Sequence, residues 1–381
     1  MTLAAICSLS ACNGGSVSPT TVNSSGALTP AVHTAAVILK ATPPPYTFYD
    51  LGAGPNGGFA VAQGANGTTQ GGNYYYESLS CGKACSTKVY HAAAWAGPGS
   101  ASRDINPGLP YFVESWVYGG SGSNLVGYGI TDQGGYFGYP HALLWRGTSL
   151  AWKDINPTGY QYSYAYGMSG TSIAGSAFIQ VVGQYEQLHA MVWSLSNLAQ
   201  PTDLHPSTTA YSESEALGVS GTNQVGYAQP VSSTPTQHAM LWSGTPASAV
   251  DLTPADVTSA LAWAAYGSTQ VGCGVPAPAT QNHALLWRGT AASMVDLNPS
   301  TFTSSCARAA YKGIQAGYGA VGAYTHAVVW TGSAQSAVDL QLSLPSNYTN
   351  SEVYAIDSKG DLIGAAYNST GGGWHAAMWV P

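Results

Sequence analysis

The feature that most limits how this chain folds is a motif, His-Ala-x-x-Trp, that occurs seven times. It begins at His91, His141, His189, His238, His283, His326 and His375, at intervals of 50, 48, 49, 45, 43 and 49 residues. Asp followed by Leu or Ile comes after six of them, at Asp104, Asp154, Asp203, Asp251, Asp296 and Asp339. The spacing is 13 residues in five cases and 14 from His189 to Asp203. Two further apolar runs precede each His, of the types Ala216-Leu217-Gly218-Val219-Ser220 and Gln224-Val225-Gly226-Tyr227. Each unit is therefore four short runs parted by Gly, Asn, Ser or Thr, which reads as four strands. A period of about 40–50 residues with four strands is that of a propeller blade. Helical repeats would need long 3.6-periodic segments, which the glycines interrupt. We name the strands A to D in chain order.

The last unit has runs A, B and C through Trp379-Val380-Pro381, while Tyr46-Thr47-Phe48-Tyr49-Asp50-Leu51 stands ahead of the first unit as a lone D run. The expectation is an all-β, seven-bladed β-propeller over residues 46–381. Its N-terminal strand completes the last blade, with Asp50 serving His375. Closure of this kind removes the open sheet edges an array would expose. On these motifs residues 46–381 resemble the bacterial extracellular repeats of the HAF family. They depart from that family at the third motif position, where Ala, Leu, Met or Val replaces Phe. The resemblance implies an exported β-propeller and brings no catalytic residues with it.

The constant spacing predicts a C–D hairpin with His141 opposite Asp154, Trp145 opposite Leu150 and residues 146–149 as the turn. His and Asp are then neighbours in every blade, and a carboxylate fixes the imidazole's orientation and tautomer. Seven copies around a ring cannot share one active site, so the pairs read as scaffold rather than general bases. Along strand C, His141, Leu143 and Trp145 share one face, and Ala142 and Leu144 the other. One Trp per blade belongs in the core.

Charged residues are 7% of the chain, and 10 Lys plus Arg against 17 Asp plus Glu give a net charge of −7. A nucleic-acid binder needs a basic stripe, and none is present. Thr2 to Ala11 is a short apolar run ending in Leu9-Ser10-Ala11-Cys12, similar to a lipobox. Residues 1–12 thus read as a signal ending at a lipidated Cys12, and residues 13–45 as a Ser/Thr/Pro/Gly tether. The expected place is the outer membrane or cell surface of a bacterium, with membrane contact only through the anchor. Four further cysteines, Cys81, Cys85, Cys273 and Cys306, suit disulfides in an exported protein. Cys273 is expected to end strand B of blade 5, and Cys306 to precede strand A of blade 6.

No nucleophile elbow, zinc motif or phosphate loop is found, and neither a cofactor nor a metal is expected. Beyond the repeat, the spacing from the strand-B Gly to the His of strand C varies most: about 19 residues from Gly72, then 14, 14, 12, 11, 9 and 11. Variable loops on a rigid scaffold carry function. The long B–C loops and the approach to blade 3 are rich in Tyr. The candidate ligand-binding set is Tyr74, Tyr75, Tyr76, Tyr128, Asp132, Tyr136, Tyr139, Tyr160, Tyr162 and Tyr164. Tyrosines among polar residues suit a glycan or an envelope or extracellular protein as ligand, and the expected state is a monomer. Two alternatives are an envelope assembly scaffold and a carbohydrate-active enzyme, a lyase or hydrolase. The enzyme would need two of Glu77, Asp132, Glu186 and His205 to converge.

Overall fold

A computed structural model describes residues 46–55, 58–78, 87–134, 137–179, 187–232, 234 and 236–381. These form seven four-stranded antiparallel sheets, each pairing A to B, B to C and C to D. Blade 4 is typical, with strands Tyr211–Ser220, Asn223–Pro230, His238–Trp242 and Val250–Asp251. The strand Thr47–Gly52 pairs with Gly373–Val380, with Asp50 opposite Ala377, and so supplies strand D of blade 7. The chain is a seven-bladed β-propeller whose ring is closed by its N-terminal strand. Cys12 and the tether 13–45 lie outside the described residues.

Side-chain alternation along strand C builds the core between blades rather than within them. Leu143 and Trp145 pack with Ala92 and Ala94 of the preceding blade, while Ala142 and Leu144 pack with Met191 and Trp193 of the next. All seven repeat Trp residues are buried. The strand-B Gly is fixed by an equally local cause. Strand A carries a bulge in every blade, and a Cβ on Gly127 or Gly226 would lie 1.8 Å from the carbonyl oxygen of Trp116 or Glu215. Only glycine fits opposite the bulge.

The C–D register differs from the expected one. Leu143, not His141, lies opposite Asp154; Trp145 pairs with Trp152 and Arg146 with Ala151, so residues 147–150 form the turn. A shift by two residues leaves every side chain on its own face, so the apolar pattern permits both registers. Gly147 and Leu150 both take positive φ, of 63° and 53°, and the Leu150 N–H donates to the Gly147 carbonyl to close the turn. The cysteines are also placed differently. Cys273 lies mid-strand in Thr269–Pro276 and Cys306 is the second residue of Ser305–Tyr311. They form a disulfide joining blades 5 and 6, with Cα atoms 4.8 Å apart. Cys81 and Cys85 lie outside the described residues.

Candidate functional site

All seven His–Asp pairs are made, with Nδ1 to Oδ2 distances of 2.7–2.8 Å. A carboxylate only accepts, so each His Nδ1 carries the hydrogen. The other carboxylate oxygen accepts the main-chain N–H two residues on, as in Asn106, Asn156, His205, Thr253 and Asn298. Except at Thr253, whose hydroxyl oxygen accepts the Ala239 N–H of its own blade, that residue then reaches the next blade. Ser115, Ser163 and Ser305 donate to Asn106, Asn156 and Asn298, and Ser351 donates to Gln341. The same serine oxygens accept the N–H of Ala92, Ala142, Ala284 and Ala327. The His-Ala and Asp-Leu motifs are thus two ends of one hydrogen-bonded clasp between blades. Burial alone would raise the Asp50 and Asp104 carboxyls, but the bonds they accept outweigh it and hold both below the ordinary aspartate value.

His205, expected as a spare loop residue and a catalytic candidate, belongs to this clasp. It is 7% exposed and stands where other blades have Asn. Its Nε2–H donates to the Tyr211 carbonyl and its Nδ1 accepts from Ser214. Burial, and then the stacked His189 ring 4.0 Å away, push its pKa down to about 4. It is a neutral structural imidazole. Glu186 and the side chain of Glu77 lie outside the described residues, and Asp132 belongs to blade 2. Among the described residues no three His, Cys, Asp or Glu are placed to hold a metal.

The predicted tyrosines pack largely on one another. Tyr74 is 1% exposed, and its hydroxyl donates to Asp104, so it is scaffold and offers nothing to a ligand. Tyr76 sits edge-on to His91. Tyr75 stacks on Phe59 and packs at a tilt against Tyr90; Tyr90 rests on Trp116, Trp116 on Tyr128, and Tyr128 against Tyr118 and Tyr164. Tyr139, Tyr162 and Phe178 form a second, shorter chain of rings. Tyr160 packs into the core between blades 2 and 3. Tyr136 lies outside the described residues. The loop face instead exposes a group that the tyrosine count passed over: Leu109 at 68%, Tyr111 at 56% and Phe137 at 61%. Tyr111 and Phe137 flank Asp132, whose N–H donates to the Tyr111 carbonyl and which pairs with Phe137, and Leu109 precedes Tyr111 by two residues.

The axis of the ring is the other place where the blades differ. At each strand-A bulge one residue has no partner on strand B: Gln63, Tyr118, Tyr166, Leu217, Trp263, Arg308 and Tyr354. All seven line one central cavity of about 170 Å³. Two residues before Leu217 and Tyr354 lie Glu215 and Glu352. Glu215 accepts from Tyr227 and Ser176, and Glu352 from Tyr354. Burial raises both carboxyls above the ordinary glutamate value.

The sequence matches no family model and no curated protein. Solved structures do resemble it in three dimensions. The β-propeller domain of the Trilobed protease from Pyrococcus furiosus is similar at a TM-score of 0.57 and 9% identity, over 84% of this chain and 93% of that one. An acylaminoacyl peptidase from Pyrococcus horikoshii gives 0.55 at 8%, over 81% of this chain and 49% of its own. A puromycin hydrolase gives 0.55 at 11%, over 84% and 53%. The chain spans about half the length of those two enzymes. What is shared is the fold.

A propeller's repeat hides its variable positions. The clasp serines, the exposed pair flanking Asp132 and the axis residues all went unread in the sequence. Aligning the A runs would have exposed the axis set, since the position before each Gly or Ala differs from blade to blade.

Proposed function

We propose that this chain is an exported propeller of HAF-type repeats, anchored through a lipidated Cys12, that acts as a binding module without chemistry of its own. Its ligand is an envelope or extracellular protein, held on the loop face of blade 2. The observation that carries this reading is the exposed pair Tyr111 and Phe137 flanking Asp132, with the exposed Leu109 two residues before Tyr111. Apolar side chains gathered on one rim suit the desolvated centre of a protein contact. A sugar platform needs a bare ring face, whereas Tyr75 and Tyr128 are covered by neighbouring rings.

A photo-crosslinker placed at Tyr111, with a control at Tyr266 in the A–B turn of blade 5, tests the face. A partner captured from Tyr111 but not Tyr266, and lost when Leu109, Tyr111 and Phe137 become Ser, supports the reading. Equal capture from both sites sinks it, as does glycan binding that the triple substitution leaves intact. Cys12→Ser is expected to release the protein from membranes without changing capture.

A further inference from the structure

The seven axis residues differ in how their polar atoms are met. Tyr354 donates to Glu352, Tyr166 is bonded to Glu215, and Tyr118 to Tyr128. Three others carry a buried polar atom with no partner: Gln63 Oε1, Trp263 Nε1 and Arg308 Nε. All three residues line the same cavity, and Arg308 is the one ionised side chain among its lining residues.

Arg308 is held in a particular pose. Its guanidinium lies 3.9 Å over the Trp263 ring and 5.7 Å from that of Tyr318. A planar cation resting on an indole keeps its donor edge directed away from the ring, free for a bidentate acceptor. Among the described residues no carboxylate forms an ion pair with Arg308. Glu352 is near enough to feel the charge but is engaged by Tyr354. Arg308 is half-buried, and with Glu352 engaged by Tyr354 its donor edge is bonded to no carboxylate, which favours an anion taken from solution.

We propose that the cavity on the propeller axis is a binding site for a small carboxylate. Its carboxylate lies along the donor edge of Arg308, which the Trp263 ring holds in place at the cavity. The planar, forked donor set favours a carboxylate over a spherical anion. A dry cavity of about 150 Å³ takes a six-atom ring, so a volume of about 170 Å³ suits a ligand the size of lactate. The site lies where strands A run into the A–B turns, apart from the B–C loop face, and does not depend on the reading given for that face.

Calorimetric titration of the full chain with L-lactate, its neutral isostere lactamide, and sulfate tests the assignment. Lactate is expected to bind and to raise the melting temperature, with lactamide at least about tenfold weaker. Arg308→Gln is expected to abolish the lactate-dependent shift. Should that variant not fold, Trp263→Leu removes the ring on which the guanidinium rests and is expected to weaken lactate by about threefold to tenfold. Absence of lactate binding overturns the proposal and leaves water as the occupant. Lactamide or sulfate binding as tightly as lactate also overturns it, as does lactate binding that neither substitution weakens.

Discussion

Blades 4, 5 and 6 turn from strand C to strand D through the same 3-10 turn, over Pro246–Ser248, Ala291–Ser293 and Ala334–Ser336. In each, the last serine accepts a main-chain N–H at 2.7–2.8 Å and donates to a carbonyl at 2.6 Å. Blades 1, 2 and 3 have no such 3-10 turn. Between them runs the ladder of rings from Phe59 through Tyr90 and Trp116 to Tyr128. At the matching level between blades 3 and 4, Ser176 donates to Glu215, and between blades 5 and 6 stands the Cys273–Cys306 disulfide. The same clasp holds both halves of the ring. What fills the space between blades is free to change, and it changes from rings to polar bonds to a covalent link.

The sharpest way to break this comparison is to remove a scaffold Trp from each half. Trp287→Ala in blade 5 and Trp145→Ala in blade 2 are each expected to cost about 3–5 kcal/mol in chemical unfolding. Trp145 also loses its Nε1–H bond to the Ile105 carbonyl. A near-neutral result at Trp145 would mean that the ring ladder, and not the repeat, carries the first half. Next in size is the covalent link. Replacing Cys273 and Cys306 by Ser, which opens a link 33 residues apart in sequence, is expected to cost roughly 3 kcal/mol. A reducing agent should lower the melting temperature of the parent and leave that of the double variant alone.

The smallest effect distinguishes one clasp from the rest. His205 has a folded pKa near 4, below its unfolded value of about 6.5. Above both values it is neutral in either state and pH has no effect through it. As pH falls through 6.5 towards 4 the unfolded chain takes up the proton first, so the fold loses stability over that window. His205→Asn, the residue that Asn106, Asn156 and Asn298 supply elsewhere, is expected to flatten melting temperature against pH over that window. A profile unchanged by the substitution would move the titration to another group.

The repeat made the blade count and the ring closure legible, because His, Trp and Asp recur at spacings only one architecture satisfies. The register of the C–D hairpin was not legible. His141 reaches Asp154 on the diagonal as well as it would across the ladder, and a two-residue slip alters no side chain's face. The candidate site was legible only as a region. Composition counts tyrosines but cannot tell a ring with an open face from one covered by neighbouring rings, as Tyr75 is by Phe59 and Tyr90. Trp263 and Arg308 were hidden for another reason: a bulge adds one residue per strand, which disturbs the alternation by which inward positions are recognised.

Asp50 accepts from both His375 and Tyr348, residues 325 and 298 positions away. The first strand of the propeller to be made is therefore the last to find its place. Blades 1 to 6 draw their strands from neighbouring stretches of chain and can assemble in any order, while the seventh waits for both ends. Until then Gly373–Val380 presents a bare edge that fits Thr47–Gly52 of any copy. At high concentration during refolding, exchange of that strand between molecules is the natural rival of closure, giving linked dimers and chains whose blades are each correctly built.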